Sequence, residues 1–257
     1  MTNGFQSVLI TGGSSGIGAA LARLYARPGL HLALSGRDGS RLTAVAEECR
    51  AKGAEVLATV VDACDAPGMA AFVEEADRRR PLDLVVANAG VSAGTGEGDE
   101  PPDQIRRITR INVEGVLNTV EPALAAMAPR RRGQIGLISS LASFRGFPGA
   151  PAYCASKAWV RIWGEGMRGH LRARGIGVTV LCPGFVKTAV AARNAFRMPL
   201  LWTAERAAAR IARGLAKNRA RVAFPFPLYW LIWGLGSLPP WSTDWLFRRL
   251  PKKGAGA

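Results

Sequence analysis

The sequence predicts an α/β chain folded as one doubly wound, seven-stranded parallel sheet, and three observations carry that prediction. Short apolar runs alternate with longer segments of helical period along most of the chain. Most of those runs are apolar throughout, as expected of parallel strands covered on both faces. The first run leads into a glycine-rich turn that opens directly into a helical segment. With 257 residues and 48% hydrophobic content, the chain is long enough for one such domain with a buried core.

Strands are expected at residues 8–11, 31–35, 56–61, 84–87, 134–139, 178–182 and 221–224. Helices are expected between them at 17–27, 40–52, 67–79, 104–128, 152–174 and 204–218. No internal repeat and no linker divides the chain, so one domain is expected over 1–224. The apolar remainder, 225–257, reads as a tail that is not an independent domain. Residues 92–102, rich in glycine and acidic side chains, follow the fourth strand. They are expected to form a flexible loop at the carboxyl edge of the sheet, where ligands bind in this architecture.

Charge and cysteine usage narrow the class. The net charge is +15, and it is uneven: residues 187–257 hold 13 Lys/Arg against Glu205 and Asp244. That gives +11 there and +4 over the first 186 residues (21 basic, 17 acidic). Such a surface is either solvated decoration or an attraction to something anionic. No nucleic-acid-binding module accompanies it, so nucleic acid is not expected as a partner. Cys49, Cys64, Cys154 and Cys182 are scattered without metal-ligand spacing, so reduced thiols and no metal site are expected. Residues 1–6 are short and uncharged with no signal peptide, so the expected location is cytoplasmic.

The turn Thr11-Gly12-Gly13-Ser14-Ser15-Gly16-Ile17-Gly18 is suited to a dinucleotide. Glycines let the backbone turn tightly and approach a pyrophosphate, and the helix N-terminus offers free N–H groups to it. A carboxylate at the tip of the second strand would bind a ribose 2′-OH and mark NAD. Position 36 is glycine and Arg37 follows, which suits the 2′-phosphate of NADP; Asp38, one residue on, leaves NAD open.

Tyr153 and Lys157 lie one helical turn apart, with Ser140 thirteen residues upstream. A lysine beside a tyrosine favours the phenolate and is expected to lower its pKa from about 10. A tyrosine poised in that way can pass a proton to or from a carbonyl oxygen. Cys154 beside it reads as packing, because helix geometry points it elsewhere.

With these motifs in hand, the chain resembles the short-chain dehydrogenase/reductase family over most of residues 8–184. Thr11, Gly12, Gly16 and Gly18 match its cofactor turn, in which Ser14, Ser15 and Ile17 are further candidate contacts. Asn88-Ala89-Gly90 matches an element that stabilises the sheet and borders the cofactor. Asp62 matches an aspartate that contacts adenine, and Asn112 an asparagine that supports a water-mediated proton path. Ser140, Tyr153 and Lys157 match the catalytic serine, tyrosine and lysine. Pro183, Gly184 and Thr188 match the segment against the nicotinamide. The resemblance implies a Rossmann-type domain, an oxidoreductase acting on CH–OH or C=O with NADP, and a homo-oligomer (dimer or tetramer). In it Ser140 holds the substrate oxygen, Tyr153 is the general acid/base, and Lys157 tunes Tyr153 and holds the ribose.

The end of the chain departs from a plain enzyme. Residues 222–243 carry no charge, and five of the seven tryptophans fall between 202 and 245. Prolines limit the unbroken apolar helix to about 228–238, roughly 16 Å, too short to span a bilayer. An interfacial segment followed by Arg248, Arg249, Lys252 and Lys253 fits peripheral contact with the cytoplasmic face of a membrane. A subunit contact or a lid over the substrate pocket fits equally. The apolar tail and the 185–202 segment suggest an apolar, lipid-like substrate; a small soluble metabolite is the alternative. A non-catalytic NADPH-binding scaffold is a third reading, opposed by the intact Asn112, Ser140, Tyr153 and Lys157.

Overall fold

The computed structural model describes residues 4–96, 98–188, 198–249 and 254. Positions 189–197 of the 185–202 segment, and Lys252 and Lys253, lie outside the described residues. The seven strands are β1 (Ser7–Ile10), β2 (His31–Gly36), β3 (Glu55–Val60), β4 (Leu84–Ala87), β5 (Gly133–Ile138), β6 (Ile176–Pro183) and β7 (Arg221–Phe224). They form one parallel sheet in the order β3-β2-β1-β4-β5-β6-β7. The order reverses between β1 and β4, and at such a switch point a crevice opens beyond the carboxyl ends of the strands.

Helices α1 (Gly16–Tyr25), α2 (Gly39–Arg50), α3 (Ala66–Arg79), α4 (Pro102–Thr109), α5 (Gly115–Met127), α6 (Pro151–Arg172) and α7 (Ala204–Ala216) cover both faces. Side chains alternate along each strand. Val8 and Ile10 of β1 therefore join the core under α1, α2 and α7, while Leu9 joins the core under α3, α5 and α6. All four residues of β1 and of β4 are buried, which is why these strands read as unbroken apolar runs. Asp38, Asp65 and Thr203 accept backbone N–H bonds that start α2, α3 and α7.

Two segments differ from expectation. The single helix expected over 104–128 is interrupted by a π-helical turn, Arg110–Glu114, between α4 and α5. The 92–102 loop is tied down at several described points. Gln104 Nε2 donates to the Gly94 carbonyl at 2.9 Å, and the Glu100 carboxylate accepts Ala152 N–H at 2.9 Å at the start of α6.

After β7 the chain forms α8 (Phe226–Gly236) and α9 (Pro240–Phe247). Leu228, Tyr229 and Ile232 of α8 pack on Leu141, Val180 and Cys182 near the carboxyl end of the sheet. An aromatic–arginine stack reinforces that contact. Phe144 meets Tyr229 edge-on at 5.4 Å, and the Arg221 guanidinium lies 5.1 Å over the Phe144 ring while donating to Glu165 at 2.9 Å. Arg145 secures α9 by donating to Thr243 Oγ1 and Asp244 Oδ1, each at 3.0 Å, beneath Phe247.

Candidate active site

A cavity of about 1320 Å³ occupies the crevice, walled by the strand tips on one side and by α8 and α9 on the other. At its cofactor end the turn between β1 and α1 is built from internal bonds. Thr11 Oγ1 accepts Asn88 N–H at 3.1 Å and Ala89 N–H at 3.2 Å. Asn88 Nδ2 donates back to the carbonyls of Thr11 (2.8 Å) and Gly12 (3.1 Å). Gly12 and Gly16 take φ values of +65° and +55°, a region that disfavours any residue with a Cβ. A Cβ on Gly18 would collide with the Gly12 carbonyl and come within 2.6 Å of Asn88 Nδ2. Ser15 caps α1 without a side-chain hydrogen bond, so first-turn N–H groups remain available to an anion. Gly12, Ser14, Ser15, Gly16 and Ile17 line the cavity; Thr11 and Gly18 stand behind them as framework. Thr188 closes over the turn, its methyl group 3.0 Å from where a Gly16 Cβ would lie.

At the tip of β2, a Cβ on Gly36 would approach Ser14 Oγ at 3.0 Å, so the turn itself presses on the position where a carboxylate would stand. Arg37 follows, exposed and 4.0 Å from Asp62, and both line the cavity. Asp38 is engaged elsewhere. It accepts Arg41 N–H at 2.9 Å and the Arg41 guanidinium at 2.7 Å, and those bonds hold its carboxyl below the ordinary range. Arg41 also lines the cavity, so two arginines flank this end. The residues fit a dinucleotide.

At the other end, Ser140, Tyr153 and Lys157 converge on one wall. Ser140 follows β5, accepts Ala142 N–H at 3.1 Å and donates to the Pro183 carbonyl at 3.4 Å. Tyr153 forms hydrogen bonds with Ser140 and Ser92. Lys157 is buried and donates through Nζ to the Ile138 carbonyl at 3.0 Å; Ser139 Oγ donates to the Lys157 carbonyl at 2.7 Å. Asn112, on the π turn, is fully buried behind Gly90. Its Oδ1 accepts Val91 N–H at 2.8 Å, and its Nδ2 donates to the Val91 carbonyl and Ser156 Oγ, each at 3.0 Å. Gly90 is bare because a Cβ there would sit 3.1 Å from Asn112 Oδ1 and 3.3 Å from Lys157 Nζ. Pro183 and Gly184 complete the floor.

The Tyr153 phenol does not follow the sequence expectation of a lowered pKa. Burial pushes it above its ordinary value of 10.0, and the Ser140 and Ser92 hydrogen bonds offset this only in part. Cys154 is buried, with its Sγ accepting Phe147 N–H at 3.4 Å, in keeping with a packing role. Sequence reasoning missed Ser92 and Arg41, whereas the apolar wall formed by Leu228, Ile232, Leu235 and Phe247 falls in the tail, for which the sequence allows a lid over the pocket. Arg41 had a signal, a second arginine four residues beyond Arg37 at the start of the helix that follows β2. Ser92 had none short of the fold. No group of His, Cys, Asp and Glu suited to a metal ion is present among the described residues.

Comparison with known proteins agrees with this geometry. The chain belongs to the short-chain dehydrogenase family, which residues 6–197 match. It is 38% identical over 225 residues to an uncharacterised oxidoreductase of Myxococcus xanthus, covering 87% of this chain and 89% of that one. A second uncharacterised oxidoreductase, from Mycobacterium tuberculosis, is 35% identical over 246 residues, covering 93% and 96%. An actinorhodin polyketide ketoreductase solved with NADPH superposes with a TM-score of 0.79 at 25% identity, over 87% of this chain and 97% of that one. The protein is thus an oxidoreductase by family and a seven-stranded doubly wound sheet by fold.

Proposed function

We propose that the protein is an NADP(H)-dependent oxidoreductase that interconverts a ketone or aldehyde and an alcohol on an apolar substrate. The observation that carries the reading is the convergence of Ser140, Tyr153 and Lys157 on one wall of a cavity whose far end is a glycine cradle flanked by arginines. The NADPH-bound ketoreductase neighbour supports the choice of NADP and of reduction. Gly12, Ser14, Ser15, Gly16 and Ile17 would hold the pyrophosphate, with Arg37 and Arg41 the 2′-phosphate. Asp62 would meet the adenine, and Asn88, Ala89, Gly90, Pro183, Gly184 and Thr188 would border the nicotinamide half.

Nicotinamide, when bound, supplies or accepts the hydride. Ser140 donates a hydrogen bond to the substrate oxygen and stabilises the negative charge that grows there. Tyr153 gives its phenolic proton to that oxygen in reduction and takes it back in oxidation, so hydride plus proton turns C=O into CH–OH. Lys157 would favour the phenolate left behind through its positive charge, and would bind the ribose. Asn112 fixes Val91 and Ser156 around the base of this wall. The apolar face opposite, from α8 and α9, argues for an apolar substrate.

The test is Tyr153→Phe assayed by NADPH oxidation. Turnover should fall by about 10²–10⁴-fold, the range for removing a general acid, while NADPH binding measured by fluorescence is retained. Full activity in that variant would sink the mechanism. A series of 3-keto substrates of rising chain length should give rising rates; a flat or falling series would point to a small soluble metabolite.

A further inference from the structure

Helix α8 is apolar on every side. It carries no charged residue, and none of its residues is fully buried. Leu228, Ile232 and Leu235 line the cavity. Phe226, Trp230 and Trp233 stand out from the protein, 66%, 47% and 42% exposed, and pack edge-on at 5.9 and 5.3 Å. Leu238 and then Trp241 and Trp245 of α9 continue the exposed apolar surface, with Trp241 80% exposed. A helix that is apolar all round belongs in a core or in lipid, and exposed apolar patches of this extent mark interaction sites.

Charge decides between the candidate occupants. Arg248 and Arg249 are exposed where α9 ends, with Arg249 lying 5.6 Å over the Trp245 ring. A second copy would set this positive surface against itself, which costs free energy. An anionic lipid surface complements it. Neither helix can cross a bilayer: α8 has 11 residues, and no helix among the described residues is long and apolar enough. Tryptophan and tyrosine prefer the headgroup region, where an amphipathic ring meets both phases. Leu231 joins the two sides, being 59% exposed while also lining the cavity.

We propose that α8 and α9 form a docking surface for an anionic bilayer, lying in the headgroup plane with the cavity open to the lipid beside Leu231. An apolar ketone dissolved in the membrane would then reach Ser140 and Tyr153 without crossing water. That delivery route rests on the apolar-substrate reading above; the docking surface does not.

The test is flotation of the full-length protein with vesicles of phosphatidylcholine alone and of phosphatidylcholine mixed with phosphatidylglycerol, with the rate on a soluble ketone measured in parallel. Flotation with the mixed vesicles, weakened by salt and by omitting phosphatidylglycerol, is the expected result. Arg248→Ala and Arg249→Ala should each weaken binding roughly fivefold. Trp241→Ala should weaken it by about tenfold, from lost apolar burial in the headgroup region. All three should keep the soluble-ketone rate. Protein that stays at the bottom with both vesicle types overturns the proposal, as does binding indifferent to these substitutions. Dissociation of an oligomer by Trp241→Ala, seen in sedimentation velocity, would make a second copy the occupant and also overturn it. An inactive protein that floats refutes the catalytic reading alone; an active one that does not float refutes docking alone.

Discussion

Gly36 shows how much one absent Cβ can decide. Ser14 Oγ stands 3.0 Å from the position that Cβ would take, so the glycine-rich turn and the tip of β2 crowd one space. No carboxylate stands at position 36, and the neighbouring Asp38 is held by Arg41. Removing one of the two flanking arginines tests the preference for NADP. Arg37→Ala should raise the dissociation constant for NADPH by about 10–100-fold, the worth of a charge-assisted hydrogen bond, and leave NADH within about twofold by the same reasoning. Titration of each nucleotide by fluorescence checks both. At Tyr153, burial raises the pKa, so the phenol stays protonated well into the alkaline range. Ketone reduction, which uses the protonated form, should therefore be flat from about pH 6 to about pH 9. A rate that falls between those limits would mean that the proton donor titrates lower than its burial implies. Tyr153, Lys157 and Ser140 were legible because helix period and strand ending place them in sequence. The direction of the Tyr153 shift was not legible, because desolvation depends on what covers the ring.

Among the elements, the π turn Arg110–Glu114 is the clearest departure from the sequence pattern. Helical periodicity over 104–128 is continuous, and a residue inserted into the turn leaves no mark on it. The structure shows the effect: Asn112 is turned toward Val91 and Ser156, where its amide makes three hydrogen bonds in full burial. Asn112→Ala leaves those partners unmatched and should cost about 2–4 kcal/mol of stability, read as a lower urea midpoint at unchanged slope. The strands were legible to within a residue or two; central strands such as β1 and β4 are apolar throughout because both faces are buried, while the edge strand β3 is only partly covered. The tail was legible only as composition. Its division into α8 and α9, and the Arg145 contacts that hold α9, depend on side chains about a hundred residues apart in the chain.

Across the whole molecule, the two ends of the sheet respond differently to their surroundings. At the end away from the cavity, His31 begins β2 and is buried. Its Nδ1 meets Ser7 Oγ at 3.2 Å and its Nε2 has no hydrogen-bond partner among the described residues. Burial is the largest influence lowering its pKa below 6.5; Arg79 and Arg80 add to it and Glu55 opposes. The unfolded chain then binds a proton that the native chain refuses, so stability should decline as pH falls through about 6.5 toward the native value. Urea midpoints at about pH 7.5 and pH 5.5 measure that decline. His31→Phe should flatten it, since the Ser7 hydroxyl still has the Arg80 carbonyl as a partner at 3.1 Å. At the cavity end, the clasp between Thr11 and Asn88 has a thermodynamic consequence. The glycine-rich turn proposed to receive a pyrophosphate is held by four hydrogen bonds internal to the chain. Its ordering is completed during folding, so a dinucleotide meets a preorganised surface and association carries little conformational entropy cost from the protein. Calorimetry should accordingly report a heat-capacity change no larger than the contact area alone explains, without the excess that marks folding coupled to binding.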